Sequence, residues 1–181
     1  MPTPEERLAA IIRAEAAGRR QKFLLFWKEA AFYPGCLSQF WPAPFVVDGV
    51  TYPAAEHWMM AEKARLFGDV DVLETILTAR TAAAAKAAGR AVRGYSEDAW
   101  EAVRYEVVVA GNLAKFSQHD DLGRYLVSTG DRVLVEASPL DRVWGIGLGE
   151  DDEAAASPSR RRGRNLLGFA LMDVRERLQS G

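Results

Sequence analysis

Residues 45–67 read FVVDGVTYPAAEHWMMAEKARLF, and this stretch decides the fold. Asp48-Gly49 stands as a two-residue turn between the β-prone runs 45–47 and 50–52. That dipeptide accepts the left-handed backbone of a tight hairpin, so a β-hairpin is expected. Pro53 then opens a helix that runs to about Leu66, since proline suits a first helical turn. Along it Glu56, Met60, Lys63 and Phe67 recur at i, i+4, i+7 and i+11 and fall near one face.

Outward from this segment, helices dominate. Thr3-Pro4-Glu5-Glu6 combines a threonine cap, a proline at the first helical position and a glutamate three residues on, which together predict a capping box. Gly18 ends that helix, and Leu8, Ile11 and Ile12 give it one apolar stripe, so it packs on the main body. Lys22 to Trp27 (KFLLFW) is short, aromatic and apolar and suits a buried strand. Asp69 and Thr81 each cap a short helix, the second within the alanine-rich TAAAAKAAG. Ser96-Glu97-Asp98 caps a longer helix to about Phe116, and Asp120 or Asp121 opens another that Gly130 closes.

Arg132 to Ala137 (RVLVEA) alternates as a half-buried strand does. Residues 150–164 form a loop of acidic residues, alanines, Ser-Pro-Ser and arginines, and Leu166 to Leu178 reads as one more amphipathic helix. Strands and helices do not alternate regularly enough for a doubly wound sheet. The expected class is α+β: a helix-dominated single domain with a few short strands, including a β-hairpin. Residues 1–30 form an N-terminal helix and strand extension, and 31–181 form the main domain.

Composition narrows the function classes. A chain of 181 residues is near the size of one domain and buries roughly 70% of its unfolded surface. Hydrophobic residues at 49% and charged residues at 27% exclude a disordered chain. The 23 basic and 25 acidic residues leave a net charge of -2, which argues against gripping nucleic acid mainly by coating phosphates; a local basic pocket would not show in that sum. The single cysteine, Cys36, excludes an internal disulfide framework and a cysteine-built zinc site, and a reducing cytoplasm fits best. Acidic residues precede the arginines of the first 20 positions, the reverse of a secretory signal, and no apolar run is long enough to span a bilayer, so no membrane role is expected.

Four clusters carry polar, aromatic and glycine residues that a plain core does not need. In Tyr52-Pro53-Ala54-Ala55-Glu56-His57, Glu56 lies in a first helical turn. It reads equally as stabilisation of the helix dipole and as a functional carboxylate, with Lys63 one heptad on. Glu136-Ala-Ser-Pro-Leu-Asp141-Arg-Val-Trp144-Gly145 places a glutamate at a strand end and an aspartate, a tryptophan and glycines in the loop beyond, a common home for binding groups. Gly145-Ile-Gly147-Leu-Gly149 lacks the spacing of a dinucleotide fingerprint. The run Arg161-Arg162-Gly163-Arg164-Asn165 reads as solvated surface or as an anion site, with Asn165 as a possible helix cap. Trp100 and Arg104, one turn apart, read as core packing or as a stacking wall. His57 and His119 stand in no metal motif, so no metal site and no cofactor are expected.

The order of these clusters carries more than any one of them. Tyr33-Pro34, Leu37-Ser38-Gln39-Phe40, Asp48-Gly49, Tyr52-Pro53-Ala54-Ala55-Glu56-His57, Lys63-Ala64, Gly89-Arg90, Trp100, Lys115-Phe116, Thr129-Gly130-Asp131, Glu136-Ala137-Ser138, Asp141-Arg142-Val143-Trp144-Gly145-Ile146-Gly147 and Gly163-Arg164-Asn165-Leu166-Leu167-Gly168 together closely resemble the NADAR, or YbiA-like, family over roughly residues 32–178. Two positions depart from its pattern: Gln39 stands where the family usually has asparagine, and Arg161 where it often has an aromatic residue.

The resemblance implies a YbiA-like fold and an N-glycosidase that hydrolyses a bond between ribose C1′ and an exocyclic amine. It implies two substrate classes, early riboflavin-pathway ribosylamino-pyrimidine 5′-phosphates and ADP-ribose attached to guanine in DNA, RNA or nucleotides. The expected partner is thus a small nucleotide-like molecule or ADP-ribosylated nucleic acid. The implied catalytic residues are Glu56, Lys63 and Asp141. The implied substrate-binding residues are Tyr33, Arg90, Trp100, Glu136, Trp144, Gly145 and Asn165, with the 160–164 arginines as further phosphate candidates. Two competing classes are a non-catalytic module that binds ADP-ribose or a nucleotide, and an interaction protein working through the N-terminal helix. The two carboxylates and the lysine disfavour a pure binder. The sequence carries no signal of oligomeric state.

Overall fold

The computed structural model describes residues 1–28 and 32–180. The expected boundary between residues 30 and 31 lies outside the described residues. The chain opens with α1 (Pro4–Ala16), where Thr3 and Glu6 close the predicted capping box reciprocally. β1 (Phe23–Phe26) and the single turn α2 (Phe32–Gly35) follow. The hairpin strands β2 (Phe45–Val47) and β3 (Val50–Tyr52) pair antiparallel. Asp48 and Gly49 at their junction take φ of 49° and 77°, the left-handed pair that the Asp-Gly signal anticipates.

Helices α3 (Ala55–Leu66), α4 (Val70–Leu77) and α5 (Ala82–Arg90) come next. Asp69 and Thr81 accept from the backbone N–H groups of Val72 and Ala84, capping α4 and α5 as expected. The long α6 (Glu97–Gln118) is capped by Ser96, and α7 (Asp120–Ser128) ends before Gly130, which takes a positive φ. β4 (Val133–Glu136), two 3-10 turns (Glu153–Ala156 and Pro158–Arg160) and α8 (Leu166–Ser180) complete the order.

The result is the α+β, helix-dominated fold that the sequence predicts. β1 and β4 form a parallel pair, with Phe23 opposite Val133 and Phe26 opposite Glu136. This pairing sets Glu136 at the carboxyl end of a two-stranded sheet, where loops gather around a site. α6 packs between α3 and α8, and α8 covers β4. α3 is buried on nearly every side, so it is a core element rather than an amphipathic surface helix, and Glu56 and His57 go into the interior with it. Phe26, Leu37, Phe45, Tyr52, Phe116 and Leu134 anchor the surrounding core.

α1 is tied down by polar contacts as well as by buried Ile11. Arg7 pairs with Asp173 of α8 at 2.5 Å, and Glu15 accepts from the backbone of Ser159 at 2.9 Å. No helix among the described residues is long and apolar enough to cross a membrane.

Candidate active site

Five segments converge on one cleft. α3 contributes Glu56, Met59, Met60 and Lys63; α5 contributes Lys86 and Arg90; the start of α6 contributes Glu97, Trp100 and Arg104. The loop after α2 adds Ser38, Gln39 and Phe40, and the far wall is Glu136 with Asp141, Val143 and Trp144. This cavity of about 300 Å³ continues into a second lobe of about 540 Å³ lined by Trp27, Ser138, Leu140 and Arg142. Lys86, Arg90, Glu136 and Asp141 border both lobes.

The helical spacing of Glu56, Met60 and Lys63 does its expected work, since all three side chains reach the cleft from one face of α3. Phe67, at the end of that series, packs against the ring of Tyr95, another cleft residue. Glu56 is 1% exposed, and its Oε1 has no hydrogen-bond partner. Burial pushes its carboxyl up to about 7; the charge of Asp141 adds to that rise, and Lys86 and Arg90 oppose it. Glu136 presents an equally unpartnered buried Oε2. Burial raises it to about 8, with Asp141 and Glu56 adding to the rise and Lys86 opposing it. Near neutral pH the cleft thus holds carboxyl groups that keep a proton beside a carboxylate that repels them, the arrangement in which acid and base roles separate.

Asp141 is fixed by its own loop. Its Oδ1 accepts from the backbone N–H groups of Val143 and Trp144, both at 2.8 Å, a turn that presents Trp144 to the cleft. Gly145 holds this loop against β4. A Cβ there would meet Glu136 O at 2.9 Å, Ser138 Cβ at 3.0 Å and Asp141 O at 3.1 Å, so only glycine permits the approach. Lys63 donates from Nζ to Gly89 O at 2.9 Å and lies 4.2 Å from the Tyr95 ring centroid. Burial lowers its pKa, which raises the share of neutral amine.

Of the residues singled out in the sequence, the structure therefore brings Glu56, Lys63, Arg90, Trp100, Glu136, Asp141 and Trp144 into one cleft. It places three others elsewhere. Tyr33 stacks on Tyr125 with ring centroids 3.9 Å apart and does not line the cleft. Asn165 is buried behind β4; its Nδ2 donates to Leu134 O and its Oδ1 accepts from the Glu136 N–H, so its polar groups are spent on holding the strand. Gly145 acts through the close approach described above.

The arginine run also stays out of the cleft lining. Arg161 lies over the Phe23 ring and donates to Ala155 O, and Arg164 pairs with Glu5 and Glu101. Positive charge lining the cleft comes instead from Lys63, Lys86, Arg90 and Arg104 and, in the outer lobe, Arg142. Lys86 was not among the predicted residues. A lone lysine in a polyalanine helix, four residues before Arg90, is the signal that marks it. Gln39, noted only as a departure from a pattern, lines the cleft as well. Among the described residues no group of three His, Cys, Asp or Glu side chains is arranged to hold a metal ion.

The profile of the NADAR domain matches residues 25–179. An N-glycosidase of Acanthamoeba polyphaga mimivirus is 41% identical over 128 residues, covering 71% of this chain and 75% of the relative. A riboflavin biosynthesis protein of Vibrio vulnificus is 37% identical over 145 residues, 80% of this chain but 36% of that longer protein. The NMR structure of the Escherichia coli protein YbiA superposes with a TM-score of 0.73 at 31% identity, covering 89% of this chain and 87% of that one.

Proposed function

The chain belongs to the NADAR family, and from that membership and the carboxylates of the cleft we propose that it is a hydrolase of N-glycosyl bonds, cleaving ribose C1′ from an exocyclic amine. The observation that carries this reading is the meeting of Glu56, Glu136 and Asp141 in one cavity with Lys63 and two tryptophans. Relatives named N-glycosidases support the reaction class, and a relative named for riboflavin biosynthesis supports a ribosylamino-pyrimidine 5′-phosphate as one substrate. The continuous outer lobe, with Arg90 and Arg142 on its walls, supports the longer alternative, ADP-ribose linked to guanine. Trp100 and Trp144 offer faces for stacking the base or the sugar.

In the direct route, Asp141 activates a water that attacks C1′. The C1′–N bond breaks, and Glu56, whose buried carboxyl keeps a proton up to about pH 7, delivers that proton to the departing amine. The Asp141 carboxylate stabilises positive charge developing at the sugar. In the covalent route, the glycosylamine ring-opens to an imine, the neutral Lys63 amine adds to C1′ and expels the base amine, and water then hydrolyses the lysine Schiff base. Burial of Lys63 supports the neutral amine that this route requires.

The substrate class is tested by incubating the protein with a ribosylamino-pyrimidine 5′-phosphate and with guanine-linked ADP-ribose and measuring the sugar phosphate released from each. Borohydride added during turnover separates the routes. A reduced adduct on Lys63 supports the covalent one, whereas continued turnover with no adduct excludes it.

A further inference from the structure

Gln39 is 7% exposed, lines the cleft, and leaves its Nε2 buried without a partner. The orientation of its amide follows from a chain of contacts. Val108 C=O only accepts, so the Asn112 group 2.9 Å away must be its Nδ2. That same Nδ2 donates its second proton to Gln39 Oε1 at 2.8 Å. Turning the Gln39 amide would set two NH₂ groups against each other, so its oxygen faces Asn112 and its nitrogen is the free end.

The backbone beneath this side chain is held from two directions. Gln39 C=O accepts the Glu56 N–H at 3.0 Å, and the buried Lys115 Nζ donates to Cys36 O at 2.7 Å and Ser38 O at 3.1 Å. A loop so anchored does not shift to compensate for a change in side-chain length. A desolvated N–H with no acceptor is costly when the cleft is empty, and it rewards a ligand that supplies one. A phosphate is a poor match, because the Asp141 carboxylate lines the same cleft. An uncharged oxygen suits the place.

We propose that Gln39 is a specificity-determining residue whose Nε2 donates a hydrogen bond to an uncharged acceptor oxygen of the substrate, a ribose hydroxyl or a base carbonyl. The assignment rests on the N-glycosidase reading above. It also gives the glutamine a function at a position where the family usually carries the shorter asparagine: the donor reaches about one methylene further into the cleft.

The test compares kcat/KM of wild type and Gln39→Met on whichever of the two parent substrates the wild type cleaves. The same pair of enzymes is then measured on analogues of that parent with a 2′-deoxyribose, with a 3′-deoxyribose, or with a base lacking its carbonyl. Gln39→Met is expected to lose roughly tenfold on the parent. One analogue is expected to slow the wild type by a similar factor and to slow Gln39→Met no further, which identifies the oxygen. Gln39→Leu, which also lacks the donor and brings no ionisable group into the cleft, serves if the methionine variant fails to fold, with the same expected pattern. Equal rates for variant and wild type on the parent overturn the proposal, as do analogue penalties that are the same in both enzymes. Absence of cleavage of either parent by the wild type overturns the N-glycosidase reading itself, and the assignment with it.

Discussion

Replacing Glu56 with glutamine is expected to stop hydrolysis and yet make the protein more stable in mild alkali. Burial raises the Glu56 carboxyl from an ordinary 4.5 to about 7. Between those values the folded chain holds a proton that the unfolded chain has released, so stability falls as pH rises through the window and is flat above it. The interval, 7 less 4.5, is about 2.5 pH units, and at about 1.4 kcal/mol per unit it amounts to roughly 3 kcal/mol. Glu56→Gln keeps the shape and has no ionisation, so its stability does not fall across that interval. Its gain over wild type is expected to be smallest below pH 4.5 and to grow by roughly 3 kcal/mol above pH 7, or about 6–12 °C in Tm for a domain of this size. Relief of Glu136, whose rise Glu56 reinforces, adds in the same direction. Urea unfolding followed by tryptophan fluorescence at pH 4.5 and pH 8.5 measures it. A separation that is the same at both pH values, or a variant less stable than wild type at pH 8.5, refutes the reasoning.

Gly145→Ala is expected to lower kcat/KM by more than tenfold and to destabilise the fold, because the added Cβ crowds the backbone oxygens of Glu136 and Asp141 and displaces the loop that aims Asp141 and Trp144; steady-state kinetics with a parallel thermal melt checks both. Arg7→Met is expected to destabilise the fold by about 3 kcal/mol, since it leaves Asp173, 5% exposed, without its guanidinium partner. Activity of that variant below its melting temperature stays at the wild-type level, because α1 contributes nothing to the cleft lining; a fall in kcat in the folded variant contradicts this.

The elements were legible because local chemistry and tertiary context agree. The Thr3 box, the Asp48-Gly49 turn and the Asp69, Thr81 and Ser96 caps each bind their own backbone, so reading them needs no knowledge of the rest of the chain. The face shared by Glu56, Met60 and Lys63 was legible for the same reason, as helical spacing is local. Cleft membership was legible only in part. The family resemblance implies Asn165 as a binding residue, but its partners, Leu134 O and Glu136 N–H, lie about 30 positions earlier and hold it behind the strand. Tyr33 likewise meets Tyr125 across the fold. Lys86 is marked only by its place four residues before Arg90, because an alanine helix gives no pattern of apolar spacing from which to tell which face turns inward. The Gln39 amide owes its direction to Asn112, 73 positions away.

Near neutrality of the whole chain says little about a cleft in which Glu56, Glu97, Glu136 and Asp141 face Lys63, Lys86, Arg90 and Arg104. Inside the cavity burial removes charge from Glu56 and Glu136 and strengthens the field of the groups that stay ionised. The most direct test of the account is therefore sugar release at pH 7 by wild type and by folded Glu56→Gln, measured on guanine-linked ADP-ribose and on a ribosylamino-pyrimidine 5′-phosphate. The account predicts that the wild type releases the sugar phosphate of at least one of them and that Glu56→Gln releases none above the uncatalysed rate. Release at the wild-type rate by Glu56→Gln, or no release by the wild type from either, would contradict it.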